Sequence, residues 1–352
     1  MKRAKVLHLL SSNRFSGAEN VVFQIIEMIK DEPDIEMVYC SRDGQIREAL
    51  NEQNIQFAAI NDITISEVKR VIYQHRPNLI HAHDMRASYI ASKACGQVPI
   101  ISHIHNNNFN SRIFSIKTIA YLLAGFKAKH IIWVSQSSYD GYLFHRFFKK
   151  KSTTLYNIID VNALYKKMKT DVKMYDYDVV YVGRLTYQKN PQRLMRVISI
   201  IVEKLPNVKI AIIGTGELEE DMKILCNELK LNCNVSFLGF QSNPLKIMYD
   251  SKVMMMTSRW EGTPICALEA MALGVPIVCT PTDGLIELVE DDKNGYLSDD
   301  NDILAHKVSD IILHPELHRR LSEYTEVKSQ LINSVAPYKQ KIMSLYEREI
   351  NV

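Results

Sequence analysis

The stretch Glu261-Gly262-Thr263-Pro264-Ile265-Cys266-Ala267-Leu268-Glu269 has a Gly-Thr-Pro start and an apolar, alanine-rich continuation. This pattern predicts a loop that leads into a helix, with both carboxylates near the helix N-terminus. Free backbone N–H groups and the helix dipole bind phosphate at such a terminus, and nearby acids accept hydrogen bonds from sugar or ribose hydroxyls. The stretch predicts a nucleotide-sugar site, but two acids at this spacing are common by chance, so the neighbouring segments must decide.

Length and composition indicate an ordinary globular protein with two domains. The 352 residues exceed the size at which a single core keeps growing, so two domains with a ligand cleft between them are expected. Hydrophobic residues make up 46% and charged residues 24% of the chain, which excludes a disordered or fibrous protein. The formal net charge of +3 gives no support to a nucleic-acid partner.

Cysteine usage and hydropathy favour a cytoplasmic protein. The thiols are spread singly without a C-x-x-C pair, which is typical of a reducing compartment, and they are Cys40, Cys95, Cys226, Cys233, Cys266 and Cys279. The apolar run Val6–Leu10 is too short for a signal peptide. The apolar stretch Thr118–Phe126 is far below the roughly 20 residues of a membrane-spanning helix.

Short Val/Ile-rich runs alternate with amphipathic segments along the chain, which predicts α/β architecture with mostly parallel sheets. The expected strands of the first half are 5–10, 36–40, 57–60, 79–81, 100–105 and 131–134, and those of the second half are 179–182, 208–213, 235–238, 253–256 and 276–280. A polar, lysine-rich stretch at 160–178 is expected to be the linker. We therefore predict Rossmann-like domains at 1–165 and 166–335, and a C-terminal helix at 336–352 that packs back on the first domain.

Residues that follow the predicted strands matter most, because ligands of such sheets lie beyond the strand carboxyl ends. The predicted first strand leads through a polar segment to Gly17, which is expected to open a helix that either binds phosphate or is a plain helix start. The strand at 179–182 leads to Arg184 and Lys189. Arginine can grip a diphosphate in a fork and lysine adds a point charge, although such cations are often only solvated surface groups.

Taken together, these segments resemble the family-4 retaining glycosyltransferases of the GT-B architecture, from Val6 to about Leu297. The order and spacing of the matching pieces agree, and these pieces are Ser16-Gly17-Ala18-Glu19, His81-Ala82-His83-Asp84, Ile104-His105, Val182-Gly183-Arg184-Leu185, Lys189-Asn190, Ile213-Gly214-Thr215-Gly216, Phe237-Leu238-Gly239-Phe240, Glu261 to Met271, and Asn294-Gly295-Tyr296-Leu297. The resemblance implies two Rossmann-like domains whose parallel sheets face a central cleft.

The resemblance also implies a role for each matching residue. Glu261, with Thr263 and Pro264, would contact the donor sugar, and Glu269 would hold the ribose. The diphosphate would be bound by Arg184, Lys189 and the backbone N–H groups of Ile265, Cys266 and Gly17. The base would lie against the backbone near Phe240, and His105 would reach the sugar and phosphate from the first domain. Glu261 and His105 are the residues expected to act in catalysis.

Two positions depart from the family pattern. Pro264 stands where many members have glycine, and proline has no N–H to offer the sugar or phosphate. Ile158 stands where a glycine often follows the asparagine near the domain junction, so this turn must use another geometry.

The activity implied is metal-independent, retaining transfer of a hexose or N-acetylhexosamine from a nucleotide sugar, expected to be UDP-linked. The acceptor would be a growing surface glycan, expected to be lipid-linked, in biosynthesis of the capsule or exopolysaccharide type. No cofactor is expected. Two alternatives stay open, namely a nucleotide-sugar epimerase of the same architecture and a catalytically silent partner subunit. A silent subunit would be expected to have lost some of the charged residues of the donor site. All four are present, namely Arg184, Lys189, Glu261 and Glu269.

Three motifs suggest other ligands. Asp176-Tyr177-Asp178 has the D-x-D form of metal-dependent glycosyltransferases but precedes a strand, at the wrong end of a sheet for a ligand. The segment from Gly214 to Glu219 imitates a dinucleotide fingerprint, but Glu219 replaces its third glycine. A third set of residues has zinc-ligand chemistry, although a polar ligand site explains it as well, and it consists of His81, His83, Asp84, His103 and His105. We predict no metal.

Two basic segments could rest on an anionic membrane. Phe144–Lys151 combines aromatics with a cationic run, and the segment 112–129 places lysines around apolar residues. A basic helix surface above core aromatics explains the same pattern. A cytoplasmic protein with peripheral contact at the inner face of the cell membrane is the expectation.

Overall fold

The computed structural model describes residues 3–13, 17–105 and 111–350. The chain divides into two compact units, of which one comprises Met1–Ile158 with Val335–Val352 and the other Ile159–Ser334. Each unit contains a parallel sheet with helices, as the alternation of apolar runs and amphipathic segments predicts. The described residues contain no helix that is both long and apolar enough to cross a bilayer.

The described strands of the first unit are β1 (Ala4–Leu10), β2 (Ile35–Arg42), β3 (Gln56–Ile60), β4 (Leu79–His83), β5 (Ile100–Ile104), β6 (His130–Trp133) and β7 (Ser152–Thr154). Its helices are α1 (Gly17–Ile29), α2 (Ile46–Glu52), α3 (Ile65–His75), α4 (Met85–Ala94), α5 (Ile116–Lys127), α6 (Gln136–Asp140), the 3-10 helix His145–Lys151 and the C-terminal helix Val335–Ile350. The sheet order is β3-β2-β1-β4-β5-β6-β7.

Successive side chains along β1 and β4 point to opposite faces of the first sheet, so that one face is apolar and the other contains histidines. Leu7, Leu9 and Ile80 belong to the apolar core that includes residues of α3, α4 and α5. His8 and His81 are in register on the neighbouring strands and point to the opposite face, where Tyr346 of the C-terminal helix bonds His81. A layer of histidines therefore lies under that helix.

The second unit contains the described strands β8 (Val179–Val182), β9 (Ile210–Ile213), β10 (Val235–Gly239), β11 (Val253–Met256), β12 (Ile277–Cys279) and β13 (Gly295–Leu297). Its helices are α7 (Val161–Met168), the 3-10 helix Tyr187–Lys189, α8 (Pro191–Lys204), α9 (Glu219–Glu228), α10 (Leu245–Asp250), α11 (Ile265–Ala272), α12 (Asp283–Leu288), α13 (Asn301–Leu313) and α14 (Pro315–Ile332), and the C-terminal helix that follows is α15. The sheet order is β10-β9-β8-β11-β12-β13.

The junction between the units differs in two ways from the expectation. The boundary between the units falls between Ile158 and Ile159. The stretch at 160–178 is not all linker, because it contains α7. Leu164 and Met168 lie four residues apart on α7 and are buried, and Tyr165 donates a hydrogen bond to the carbonyl of Ala272. This helix is therefore part of the second unit.

The C-terminal helix α15 is grouped with the first unit, although it follows the second in sequence. Its buried residues include Tyr338, Ile342 and Tyr346, at helical spacing. Lys339 forms an ion pair with Glu32 of the first unit at 2.6 Å between Nζ and Oε1.

Candidate nucleotide-sugar site

The order of the second sheet places a topological switch point between β8 and β11. These neighbouring strands are parallel, and the strands that follow each of them lie on opposite sides of the pair. Ligands of such sheets bind beyond the carboxyl ends of the strands at this point. The loop that follows β8 contains Arg184 and Lys189, and the loop that follows β11 contains Ser258 and Glu261.

Hydrogen bonds tie these two loops together. The amide of Gln188 donates to the carbonyl of Trp260 at 3.0 Å, and the backbone N–H of Arg259 donates to the carbonyl of Gln188 at 2.8 Å. The guanidinium of Arg259 also lies over the ring of Tyr187, 4.3 Å from its centroid. The side chains that both loops present are thus held at fixed positions.

Lys189 and Glu261 form the central ion pair of the site. Lys189 Nζ lies 2.6 Å from Glu261 Oε1, and the two side chains are 13% and 5% exposed. Burial opposes the charge of Lys189, but the adjacent Glu261 carboxylate outweighs it, so the pKa of the ammonium is raised. The hydroxyl of Ser258 donates to the same Oε1 at 2.6 Å. Within the described residues, no hydrogen bond engages Glu261 Oε2.

The N-terminus of α11 lies directly after these residues. The first backbone N–H groups of the helix that donate within the described chain are those of Ala267 and Leu268, both to the carbonyl of Pro264. The N–H groups of Ile265 and Cys266 are therefore left for a ligand. A helix N-terminus of this kind favours an anion.

A close backbone approach shapes the loop before α11. Thr263 and Pro264 are buried, and a Cβ at Gly284 would lie 1.3 Å from the carbonyl oxygen of Gly262. Only glycine at 284 therefore permits this position of the loop, which presents Thr263 and Pro264 beside the helix terminus.

Arg184 and Glu269 are the charged groups of the site that have no ion-pair partner among the described residues. The Arg184 side chain is exposed, and Glu269 is half-buried on α11. Burial raises the pKa of the Glu269 carboxyl to about 7, while the nearby Lys167 opposes this shift. A free guanidinium suits a diphosphate, and a desolvated carboxyl suits the hydroxyls of a ribose.

Phe240 and Gly214 directly follow the carboxyl ends of β10 and β9 in the same sheet. Phe240 follows β10 and is 64% exposed, so its neighbourhood is open to a planar base. Gly214 has a φ of 130°, and a Cβ there would lie 2.0 Å from the carbonyl oxygen of Gly183. The loop after β9 packs closely against the loop after β8, and this packing requires glycine at position 214. A bound dinucleotide is not needed to explain this glycine.

The D-x-D residues lie at the other end of β8. Asp178 precedes the strand and pairs with Lys252 at 2.9 Å, and Asp176 pairs with Lys209. Both carboxylates are therefore partnered by lysines away from the loops that contain Lys189 and Glu261.

The first unit contains the remaining predicted residues. His105 follows β5 and is 7% exposed, with its Nδ1 buried and without a hydrogen-bond partner among the described residues. Gly17 is the first residue of α1 and is exposed. Ser16 of the same motif lies outside the described residues.

The described histidines include two groups of three with nitrogens close enough to share a metal ion. His8, His81 and His83 form one group, and His83, His103 and His105 form the other. The ring nitrogens of His83 already bond His8 and His105, both at 2.9 Å. An ion that used His83 would have to replace one of these bonds. The absence of a metal from the working protein stays a prediction.

Comparisons with known proteins agree with this geometry. The family model described as Glycosyltransferase Family 4 matches residues 15–163, and the model described as Glycosyl transferases group 1 matches residues 166–328. Among solved structures, HepE from Anabaena in complex with UDP and glucose superposes with a TM-score of 0.86, at 20% identity over 98% of this chain and 100% of that chain. This similarity shows the GT-B fold.

Curated relatives are glycosyltransferases. An uncharacterized glycosyltransferase of Haemophilus influenzae is 31% identical over 188 residues, which are 52% of each chain. The UDP-Gal:alpha-D-GlcNAc-diphosphoundecaprenol alpha-1,3-galactosyltransferase of Escherichia coli is 24% identical over 331 residues, 86% of this chain and 85% of that protein. The matched stretches span 52–61% of the length of the first curated relatives.

Proposed function

Because the chain belongs to the family-4 glycosyltransferases of the GT-B architecture, we propose that it transfers a hexose or N-acetylhexosamine from a UDP-linked donor to a growing, lipid-linked surface glycan. The observation that carries this proposal is the cluster at the β8–β11 switch point, where Lys189, Glu261 and the open N-terminus of α11 meet. The UDP bound to HepE and the undecaprenol-linked substrate of the Escherichia coli relative support the donor and acceptor classes.

The chemistry that this site can supply is stabilisation of a leaving group. Departure of a nucleoside diphosphate places negative charge on phosphate, and fixed donors aimed at that charge lower the barrier. Arg184, Lys189 and the amides of Ile265 and Cys266 are such donors, so the proposed transfer requires no metal. The retaining course of the reaction, with the leaving phosphate as the proton acceptor, is part of the proposal and needs no protein nucleophile.

Calorimetric titration with UDP, GDP and ADP in the presence of a chelator tests the donor class. We expect UDP to bind at least about tenfold more tightly than the other two, which corresponds to about 1.4 kcal/mol. A requirement for a divalent metal would contradict the metal-free site, and tighter binding of GDP or ADP would contradict the UDP donor. Failure of UDP and of UDP-sugars to bind would favour a silent partner subunit.

A surface of the first unit supports peripheral membrane contact in the proposed function. Its apolar members are spaced along one face of α5 and continue onto the neighbouring 3-10 helix, where the rings of Phe126 and Phe147 lie 6.2 Å apart. We call this surface the apolar stripe, and its exposed members are Ile116, Ile119, Leu123, Phe126 and Phe147.

Charge around the apolar stripe fits an anionic bilayer. Residues 85–159 contain ten lysines and arginines and one acid, Asp140, which gives a net charge of +9 in a chain whose total is +3. Anionic lipids attract such segments by about 1 kcal/mol for each cation near the surface. Exposed apolar side chains among cations suit the boundary between headgroups and acyl chains. This contact would place the first unit beside a lipid-linked acceptor at the cytoplasmic face.

Reversal of Lys149 and Lys150 to glutamate should reduce binding to vesicles that contain phosphatidylglycerol by at least about tenfold. These lysines are exposed, whereas Lys151 donates to the carbonyls of Phe126 and Ala128 and is left unchanged to protect the fold. Co-sedimentation measures the effect.

The matched control replaces two other exposed lysines, Lys69 and Lys204, with glutamate, which changes the net charge by the same amount as the test variant does. Equal loss in both variants would show only a global charge effect. Equal binding of the unchanged protein to neutral and anionic vesicles would contradict the electrostatic contact.

A further inference from the structure

The short helix α7 connects α11 to the segment 240–244 between β10 and α10, which we call the β10 loop. Tyr165 of α7 donates a hydrogen bond to the carbonyl of Ala272, the last residue of α11. Lys167 Nζ donates to the carbonyl of Ser242 in the β10 loop at 3.1 Å. The amide of Asn243 donates in return to the carbonyl of Lys167 at 3.0 Å. The helix therefore ties the β10 loop to α11 within the second unit.

Glu269 lies about one turn into α11, beyond the open amides at its N-terminus. Residues 265 and 269 are four positions apart, so they lie on the same face of the helix, about 6 Å apart along its axis. In a nucleotide the ribose directly follows the diphosphate. A diphosphate bound at the amides of Ile265 and Cys266 would therefore bring its ribose toward Glu269. Within the described residues, no hydrogen bond engages the Glu269 carboxylate.

Burial and one cation together set the charge of Glu269. Burial raises the pKa of the Glu269 carboxyl to about 7, and the charge of Lys167 opposes this rise. At neutral pH the group is thus divided between a carboxylate and a neutral carboxyl. The carboxylate is the better acceptor for ribose hydroxyls, because its hydrogen bonds are charge-assisted. A cation that favours the carboxylate therefore also favours the ribose contact.

Other charged groups near α11 are paired or act elsewhere. The elements that contact α11 include α7, α10, α14 and β12. On α10, Lys246 pairs with Asp250, and on α14, Lys328 pairs with Glu290. The remaining titratable groups of these elements near α11 are Tyr165, Tyr249, Glu326, whose charge acts on the Tyr165 phenol, and Cys279, whose thiol pKa is raised by burial. Among all these groups, Lys167 is the one whose charge acts on Glu269.

We propose that Lys167 is a positioning residue of the nucleoside subsite, because its ammonium both holds the β10 loop and stabilises the Glu269 carboxylate that receives the ribose hydroxyls. This inference rests on the proposed function, in which Glu269 holds the ribose and the base lies near Phe240. Lys167 acts through the loop and the carboxylate and does not touch the reacting atoms. Nucleotide affinity should consequently change with pH near neutrality, and Lys167 should set the pH at which it changes.

Two nucleotides isolate the ribose contact. UDP and 2′,3′-dideoxy-UDP share the base and the diphosphate, and only UDP has the ribose hydroxyls, so the ratio of their affinities cancels the titration of the phosphate. For the parent protein we expect UDP to bind about 10–100-fold more tightly at pH values well above 7. The ratio should fall as the pH decreases below about 7, because the Glu269 carboxylate then gains a proton. Calorimetry across this pH range measures both affinities.

Lys167→Met removes the ammonium and keeps most of the alkyl chain. We expect UDP affinity at pH 7 to fall by about threefold or more, and the affinity ratio to reach its upper value only at a higher pH. Lys166→Met is the matched control, since this exposed lysine lies on the same helix and has no hydrogen bond or ion pair among the described residues. It should bind both nucleotides as the parent does. Lys167→Arg keeps the charge and a donor and should retain most of the affinity.

The outcomes separate this inference from the proposed function. Equal nucleotide affinities in Lys167→Met and Lys166→Met would overturn the inference. Equal weakening of both nucleotides at every pH in Lys167→Met would also overturn it, because the residue would then have only a structural role. An affinity ratio that does not change with pH in the parent would exclude the action on Glu269. In each of these results UDP still binds and the proposed function stands, whereas failure of UDP and of UDP-sugars to bind the parent would refute both proposals.

Discussion

Replacement of Glu261 by glutamine should lower the rate of sugar transfer by about 10²–10³-fold and change UDP affinity far less. Among the described residues, the Glu261 carboxylate engages Lys189 and Ser258 through Oε1 alone. Its second oxygen is therefore available to a sugar hydroxyl, and its charge can stabilise the positive character that the sugar gains as the diphosphate departs. Glutamine keeps the shape and a carbonyl acceptor but removes the charge. Steady-state kinetics with the donor, together with UDP titration, measure both effects.

Stability must be followed in the same variant, because the Lys189–Glu261 pair is largely buried. Removing one partner of a buried pair typically costs about 3–5 kcal/mol, and glutamine reduces this cost by retaining the hydrogen bond. Glu217→Gln is the control, since this exposed carboxylate lies in the loop after β9, which is the strand next to β8. A Glu261→Gln protein that is folded and transfers sugar at the parental rate would show that this carboxylate has no role in the reaction.

Much of the second unit could be predicted from the sequence, because its signals are local. A buried parallel strand such as β8 is a continuous apolar run that can be recognised without knowledge of its neighbours. Arg184 and Lys189 follow it in the sequence and are therefore placed at its carboxyl end. The helix start at α11 was predicted from the Gly-Thr-Pro segment in the same way. The GT-B fold inferred from these segments is confirmed by the structural similarity to HepE.

Features that depend on register and loop conformation were missed. Ser258 bonds Glu261 because Thr280 Oγ1 donates to the carbonyl of Ser258 and holds the loop in place. No sequence pattern connects these residues. His8 and Met37 belong to two strands whose register sets their contact. The sequence shows only the i, i+2 spacing of His81 with His83 and of His103 with His105.

The helix α7 was missed for a different reason. Leu164 and Met168 supplied an i, i+4 signal, but the lysines between them made the stretch resemble a linker. Burial against the second unit overrides that polar composition. A short helix that presents two apolar residues to a neighbouring surface is thus easily mistaken for a connection when the neighbouring surface is unknown.

Arg184→Ala should weaken UDP binding by about 10–100-fold and leave uridine binding unchanged. The guanidinium is exposed and has no ion-pair partner among the described residues, so its removal leaves no buried charge and should not destabilise the fold. A charge-assisted hydrogen bond contributes about 1.5–3 kcal/mol, which gives the expected range. Calorimetry of UDP and uridine with the same protein isolates the diphosphate contribution.

Arg196→Ala is the control, because this exposed arginine lies on α8 in the same unit and contributes the same charge. Loss of UDP affinity in both variants would indicate a long-range field, which added salt would screen. Unchanged UDP affinity in Arg184→Ala would mean that Lys189 and the N-terminus of α11 hold the diphosphate without it.

Adding Lys189→Met in the Glu261→Gln background then tests the second cation, since the neutral glutamine removes the unpaired carboxylate that the lysine substitution would otherwise leave buried. A loss that appears only with this second change would assign the phosphate contact to Lys189, and Arg184 would be a solvated surface cation.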